Sequence, residues 1–218
     1  MGRWRPTITC SKREPIRPAA CYTEGEVIRV AVEKIIWCQF VWNHPVVHLP
    51  AQIHPLLIKP TPGYPHGNKG AVMRQAWLRW RAVSPGIVFV DGDVGIDPWD
   101  MRAMNQAVRS NPGAVWTGMA WLWPSNPVQE APKLSHRTWR QGEAQWGLTG
   151  RDGRQIDYWS FNTTYVPNRL FERVEQERKW SLLVFPWADT RLSEIAQEAP
   201  RIPAYIVPEC RPKHLNWG

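Results

Sequence analysis

Long hydrophobic runs are missing from this sequence. Its apolar stretches, such as "IVFV" and "SLLVF", fall far short of the roughly 20 residues that a membrane-spanning helix needs, so no membrane partner is expected. The opening residues, "MGRWRPTITC", carry charge without an apolar core, so no secretory signal is read and a cytoplasmic location is expected. Cysteine is scarce: Cys10, Cys21, Cys38 and Cys210 are the 4 in 218 residues, with no CxxC pair and no zinc-like spacing. That argues against a structural zinc site and for free, buried thiols in a reducing compartment. Acidic side chains are also in short supply, 19 against 27 Lys and Arg, which leaves a net charge of +8. Phe and Tyr number only 5 each, whereas Trp occurs 15 times. With 43% hydrophobic and 21% charged residues, the composition is that of a globular chain and excludes a disordered one. A length of 218 residues suits one domain with a real core.

The basic excess favours a polyanionic partner, because each neutralised phosphate releases counterions. Trp can stack on bases or sugars, although it also simply fills cores. Pro, at 21 residues, cuts the chain into short elements. "PTITC" reads as a first strand, followed by the basic loop "SKREP", and residues 27–42 as one or two strands, with a helical first half as the alternative. The stretch from 43 to 67 is too rich in Pro for a helix. A helix begins at Asn68, with Val72, Ala76, Trp80 and Val83 as its apolar stripe and Ser84-Pro85-Gly86 as its stop. "IVFV" is a buried strand. Asp97 then reads as an N-cap, with Pro98 first in the helix and Asp100 in its first turn. "AVWTGMAWLWP" returns as a strand, and residues 125–153, polar and Trp-studded, read as a long functional loop or insertion. "IDYWSFNTTYVP" is strand-like, and "NRLFERVEQER" is a helix by the spacing of Leu170, Phe171 and Val174. "DTRLSEIAQEA" is a second amphipathic helix, and "RIPAYIVP" a last strand. Alternating strands and helices imply a mostly parallel sheet with helices on both faces, whose ligands bind beyond the carboxyl ends of the strands.

Such an end is where "DGD" falls, Asp91-Gly92-Asp93 directly after the apolar run. Two carboxylates one residue apart repel each other and suit a divalent cation, with Gly92 letting the turn bend. Magnesium or manganese is typically held by one or two carboxylates and completed by substrate phosphates. Asp-Gly is also an ordinary turn dipeptide with solvated acids. His44, His48 and His54 invite a zinc reading, but Pro45 and Pro50 break the helix that the i, i+4 spacing of the first two requires.

"IVFVDGDVGIDPWDMRAMNQAV" resembles the DxD segment of GT-A-fold glycosyltransferases, particularly the family-2-like group. The similarity continues in the right order. "RPTITCSKREP" resembles the first strand and nucleotide-binding loop. "GNKGAVMRQAW" stands where the family has its "GxxxARNxG"-like helix, with the key residues changed. "FNTTYVPNRLFERV" is similar to the strand and helix after the sugar pocket, and "FPWADTRLSEIAQEAPRIPAYIVPE" to the family's ED-type helix and following strand. The resemblance implies an α/β fold, a single GT-A-like three-layer α/β/α sandwich over 1–218 with a mostly parallel (mixed) central sheet. It also implies Mn2+ or Mg2+ and a nucleotide-sugar donor, a UDP-sugar in preference to a GDP-sugar. Asp91 and Gly92 would meet the nucleotide, Asp93 and Asp91 the metal, and the C-terminal His214 would complete the metal shell. Asp189 falls where inverting members place the general base. Here Ala188-Asp189 replaces the family's Glu-Asp, and an N-cap role for Asp189 is the rival. Lys69, Lys12 and Arg13 would meet phosphate or the nucleobase, or else lie in solvent.

The Arg- and Trp-rich stretch at 133–154 sits where such enzymes place acceptor loops, making Arg137, Trp139, Arg140 and Trp146 the acceptor-binding candidates. Size and charge are similar to those of small bacteriophage transferases that glycosylate hydroxymethylated pyrimidines, so DNA is the expected acceptor, in the host cytoplasm. A saccharide or other small acceptor is the alternative. Of other classes, a nucleotidyltransferase lacks its Gly-rich loop here, a metal-dependent nuclease needs more acids, and a non-catalytic nucleic-acid-binding protein leaves DGD unexplained.

Overall fold

Five consecutive buried residues, Gly86–Val90, form the strand that leads into the acidic turn. The computed structural model describes residues 34–41, 52–59, 67–119, 121–122, 133–134, 136–140, 143–146, 149–150, 152–184 and 186–214, with only the backbone of 121–122, 133–134, 139–140, 143–144, 146 and 214. The expected first strand at 6–10, its basic loop, Lys12 and Arg13 lie outside the described residues. So do the N-terminal residues that the one-domain expectation includes; all described residues belong to the unit Ala31–Gly218.

In chain order the elements are β1 (Ile36–Val41), β2 (Ile53–Leu57), α1 (Lys69–Trp80), β3 (Gly86–Val90) and β4 (Val94–Gly95). Then come α2 (Pro98–Ser110), β5 (Val115–Gly118), β6 (Trp121–Leu122), β7 (Lys133–Leu134), β8 (Arg137–Arg140) and β9 (Glu143–Trp146). The last are β10 (Gln155–Ile156), β11 (Thr164–Pro167), α3 (Asn168–Gln176), a 3-10 turn (Lys179–Leu182), α4 (Ala188–Gln197), β12 (Ala204–Val207) and β13 (Lys213–His214). Seven strands make the central sheet in the order β10-β12-β5-β11-β3-β1-β2. β1, β2, β3, β5 and β12 run one way, while β10 and β11 run against them. The sheet is therefore mixed, with a shared main direction.

Helices cover both faces. On one, Met73 and Trp77 of α1, Phe171 of α3 and Leu192 of α4 join Phe40 and Phe89 in the larger core cluster. On the other, Met101, Met104 and Val108 of α2 pack on Trp37, Val88 and Val90. This is the α/β/α sandwich that the alternating elements imply. The aromatic centre is tight: Phe89 stacks with Phe40 at 5.4 Å and meets Phe161 and Phe171 edge-on, each at 5.9 Å. Burying each such ring stabilises the fold by roughly 2–3 kcal/mol, so the ends of β1 and β3 are held in register.

Local signals form what they encode. Asp97 caps α2 by accepting from the N–H groups of Trp99 and Asp100, and Asp100 returns the bond, a capping box with Pro98 at the first turn. Leu170, Phe171 and Val174 are the buried face of α3. Cys38 and Cys210 are buried free thiols, the first with its pKa pushed up to about 12, by burial above all.

Three expectations need correction. The buried stripe of α1 is Lys69, Gly70, Met73, Ala76 and Trp77, while Val83 lies beyond the helix and is exposed. The helix is rotated because Trp77 packs into the aromatic core beside Phe171, leaving Trp80 to stack on His54 at 4.9 Å. The stretch 125–153 is not all loop: β8 and β9 pair as an antiparallel hairpin, Arg137 opposite Trp146. "IDYWSFNTTYVP" is two strands, since β10 ends at Ile156 and β11 starts at Thr164. Pro55 is accommodated in β2, which ends the sheet among the described residues, as Pro requires an edge.

Candidate functional site

The carboxyl end of β3 is where the chemistry collects. Asp91 follows Val90, and its N–H donates to the Phe161 carbonyl at 2.9 Å, tying the turn to the loop ahead of β11. The turn closes with the Val94 N–H on the Asp91 carbonyl at 3.2 Å. From β1, the buried Gln39 amide donates to the carbonyls of Asp91 and Val94, each at 3.0 Å. Gln39 thus clamps both ends of the acidic turn. Among the described residues the left-handed glycines are Gly67 and Gly153, so Gly92 supplies an open backbone between two carboxylates, not a left-handed kink.

The first cation beside the acidic pair is Lys69. Its Nζ meets Asp91 Oδ1 at 2.7 Å, with the lysine side chain 8% exposed and the aspartate 20%. The ammonium also lies 4.8 Å from the Phe40 ring centre and 5.5 Å from that of Phe161, a cation–π seat. The start of α1 is fixed against the turn before α4: the Gly70 N–H donates to the Leu183 carbonyl at 2.7 Å. A side chain at Gly70 would collide with the Trp180 carbonyl oxygen. Read as a solvated surface lysine, Lys69 would do nothing; it is a buried counterion.

Asp189 stands in the first turn of α4, whose N-cap is Trp187. The N-cap rival for Asp189 is therefore wrong. Burial pushes its carboxyl up to about 6, with Lys69 opposing and the charge of Asp91 adding to the rise. All three charges therefore feel one another at one end of the sheet. The Thr190 N–H donates to Asp189 Oδ1 at 2.7 Å. Ser193 Oγ donates to the Asp189 carbonyl at 2.8 Å and accepts from the Trp159 N–H at 3.3 Å, joining α4 to the loop before β11.

Arg137 comes to the same place from the hairpin. Its backbone exchanges hydrogen bonds with Tyr158, its guanidinium lies 4.9 Å over the Tyr158 ring, and Nη2 reaches Thr190 Oγ1 at 3.4 Å. Of the acceptor candidates it is the one whose side chain is placed; Trp139, Arg140 and Trp146 are located by backbone alone, on β8 and β9.

The C-terminal strand completes the neighbourhood. β13 pairs antiparallel with β4, setting His214 opposite Val94, next in sequence to Asp93. Asp100 guides the chain there: its Oδ1 accepts from the Arg211 N–H at 2.6 Å while Oδ2 serves the capping box. Its carboxyl is raised above the usual aspartate range, by burial first. Among the described residues no group of three or more His, Cys, Asp or Glu side chains is placed to hold a metal ion, a set that cannot include the His214 imidazole. The structure thus brings Lys69, Asp91, Gly92, Asp93, Asp189, Arg137 and the backbone of His214 to one end of the sheet. Gln39, which braces that end, carries no sequence signal of its own, and Asp100 announces its place in the helix but not its bond to Arg211.

No protein-family model matches the chain, and no curated protein matches it. Among solved structures, the crystal structure of A197 from STIV is similar over 80% of this chain and 83% of its own, at 11% sequence identity and a TM-score of 0.46. No helix among the described residues is long and apolar enough to cross a membrane.

Proposed function

We propose that this chain is a nucleotide-sugar-dependent glycosyltransferase that inverts the anomeric centre, with a hydroxymethylated pyrimidine in DNA as the acceptor. The observation that carries the reading is Asp189, a carboxyl poised at about 6 in one electrostatic cluster with the acidic turn. A general base works best when its pKa lies near the working pH, and groups so perturbed gather at functional sites.

Asp189 takes the proton of the acceptor hydroxyl as its oxygen attacks the anomeric carbon. The bond from that carbon to the donor's diphosphate oxygen breaks, and its electron pair leaves with the nucleoside diphosphate. Lys69 and Gln39 keep the acidic turn in place. Arg137, beside Thr190, suits an acceptor phosphate. The donor set fits a hard divalent ion: two carboxylates one residue apart, on a turn whose next residue is registered with His214. Asp93, Asp91 and His214 would hold it, Asp91 sharing its charge with Lys69. When bound, such an ion stabilises negative charge on the departing diphosphate.

Thermal denaturation with UDP and manganese tests the donor side, since a ligand that binds only the folded chain raises its melting temperature. The expected result is a rise of several degrees that Asp93→Ala abolishes. If neither UDP nor GDP, with manganese or magnesium, shifts the melt, the transferase reading is wrong. Transfer to free saccharides with none to hydroxymethylated DNA would leave the class standing and overturn the acceptor.

A further inference from the structure

A second depression lies between α2 and the β5–β12 half of the sheet, lined by none of the residues gathered at the acidic turn. It encloses about 460 Å3, with Trp99, Arg102, Gln106 and Ser110 along one wall and Trp116 and Arg154 on the other. The four helix residues are all exposed and recur every three or four positions, so they form one line along α2. Trp99 stands out most, at 63% exposure for the largest apolar side chain. The Arg102 guanidinium lies 5.3 Å over its ring.

The charges on this surface select the ligand. Arg102 and Arg154 face the groove, with Glu209 as the carboxylate on its lining. Asp97, near Trp99 in sequence, is turned back onto the N–H groups of Trp99 and Asp100, at 2.7 and 2.8 Å, so its carboxylate faces the partial positive charge of the helix N-terminus. A large aromatic platform beside arginines is how proteins hold nucleic-acid strands without reading sequence. The length agrees: from Trp99 to Ser110 the helix advances about 16 Å at 1.5 Å per residue. At roughly 3.4 Å per nucleotide along one strand, that is about five nucleotides.

We propose that this groove is a nucleic-acid track that seats a DNA strand, with Arg102 and Arg154 on phosphates and the Trp99 indole under an unpaired base. Its purpose rests on the DNA-acceptor reading, the strand entering beside the helix that follows the acidic turn. Its binding does not depend on sugar transfer and is measured without donor.

The test is fluorescence anisotropy of a labelled single-stranded oligonucleotide with the full chain, over a series of salt concentrations. Arg102→Gln with Arg154→Gln is expected to flatten the slope of log K against log salt by about 1.4, two contacts at roughly 0.7 each. Trp99→Ala is expected to weaken binding about tenfold, with Trp99→Phe recovering most of it. All three positions are exposed, so unchanged melting temperatures will show that the variants fold. Unchanged affinity and slope in these variants would overturn the proposal. So would a groove that binds neutral dextran through Trp99 while DNA binding is unaffected. If UDP and metal fail to stabilise the protein but the groove variants still lose DNA, the transferase reading falls and the track stands. If UDP binds and the groove variants hold DNA normally, the track falls alone.

Discussion

Asp189 holds its proton more firmly than an ordinary aspartate, because burial raises its pKa to about 6. The unfolded chain releases the same proton near pH ~4. Between these values the folded form binds more protons, so stability falls as pH rises through that window and stays lower above it. The ionised carboxylate that a base requires is thus the form that costs stability. In the Asp189→Asn variant this cost is gone. It is expected to melt above the wild type at neutral pH, with the margin vanishing near pH 4, while transfer drops by roughly 100- to 10,000-fold. Wild-type transfer should rise with pH and reach half its plateau near 6. A variant that loses activity without gaining stability at neutral pH would assign Asp189 a merely structural role.

Elements set where such residues can act, and α2 shows how. Its capping box was legible because every group in it is local: Asp97, Pro98 and Asp100 are neighbours in sequence. The same Asp100 also holds the Arg211 N–H, 111 residues away, which no local pattern announces. Asp100→Ala is expected to keep α2 largely helical yet release the last strand. Hydrogen exchange in residues 207–214 should speed up at least tenfold, and stabilisation by UDP with manganese should weaken. Unchanged exchange there would show that β13 is held by other means. The remaining misreadings share this cause. Lys69 is ordinary in sequence and becomes a buried counterion only because α1 brings it to Asp91. The stripe of α1 is displaced from Val72 and Trp80 toward Met73 and Trp77 because the aromatic core decides which face is buried. Gln39 looks like a stray polar residue in an apolar strand until β1 is laid beside β3, where it braces the acidic turn. By contrast "IVFVDGDV" announced both the buried strand and the acidic turn after it, because the apolar run and its paired acids are neighbours in sequence.

At the scale of the whole molecule, charge separates the two substrates expected of it. The net charge of +8 acts on a polymer with many phosphates and hardly on a single diphosphate held by close contacts. Raising the ionic strength should therefore increase KM for DNA steeply while changing KM for the nucleotide sugar little. Equal sensitivity of both would remove the case for an extended nucleic-acid surface.

Sequence order has a consequence for how the protein comes into being. β11 runs against its neighbours in the middle of the sheet, so the end where β3 stops is the end where β11 begins. The residues gathered there come from 69, 91, 137, 161, 189 and 214, nearly two-thirds of the chain. During synthesis the acidic turn is made before Asp189 and before the strand β13 that pairs beside it. Chains stalled before residue 189 would carry the acidic turn and Lys69 without the proposed base. The proposed site would thus stay incomplete until residue 214 is made, however early its acidic turn has folded.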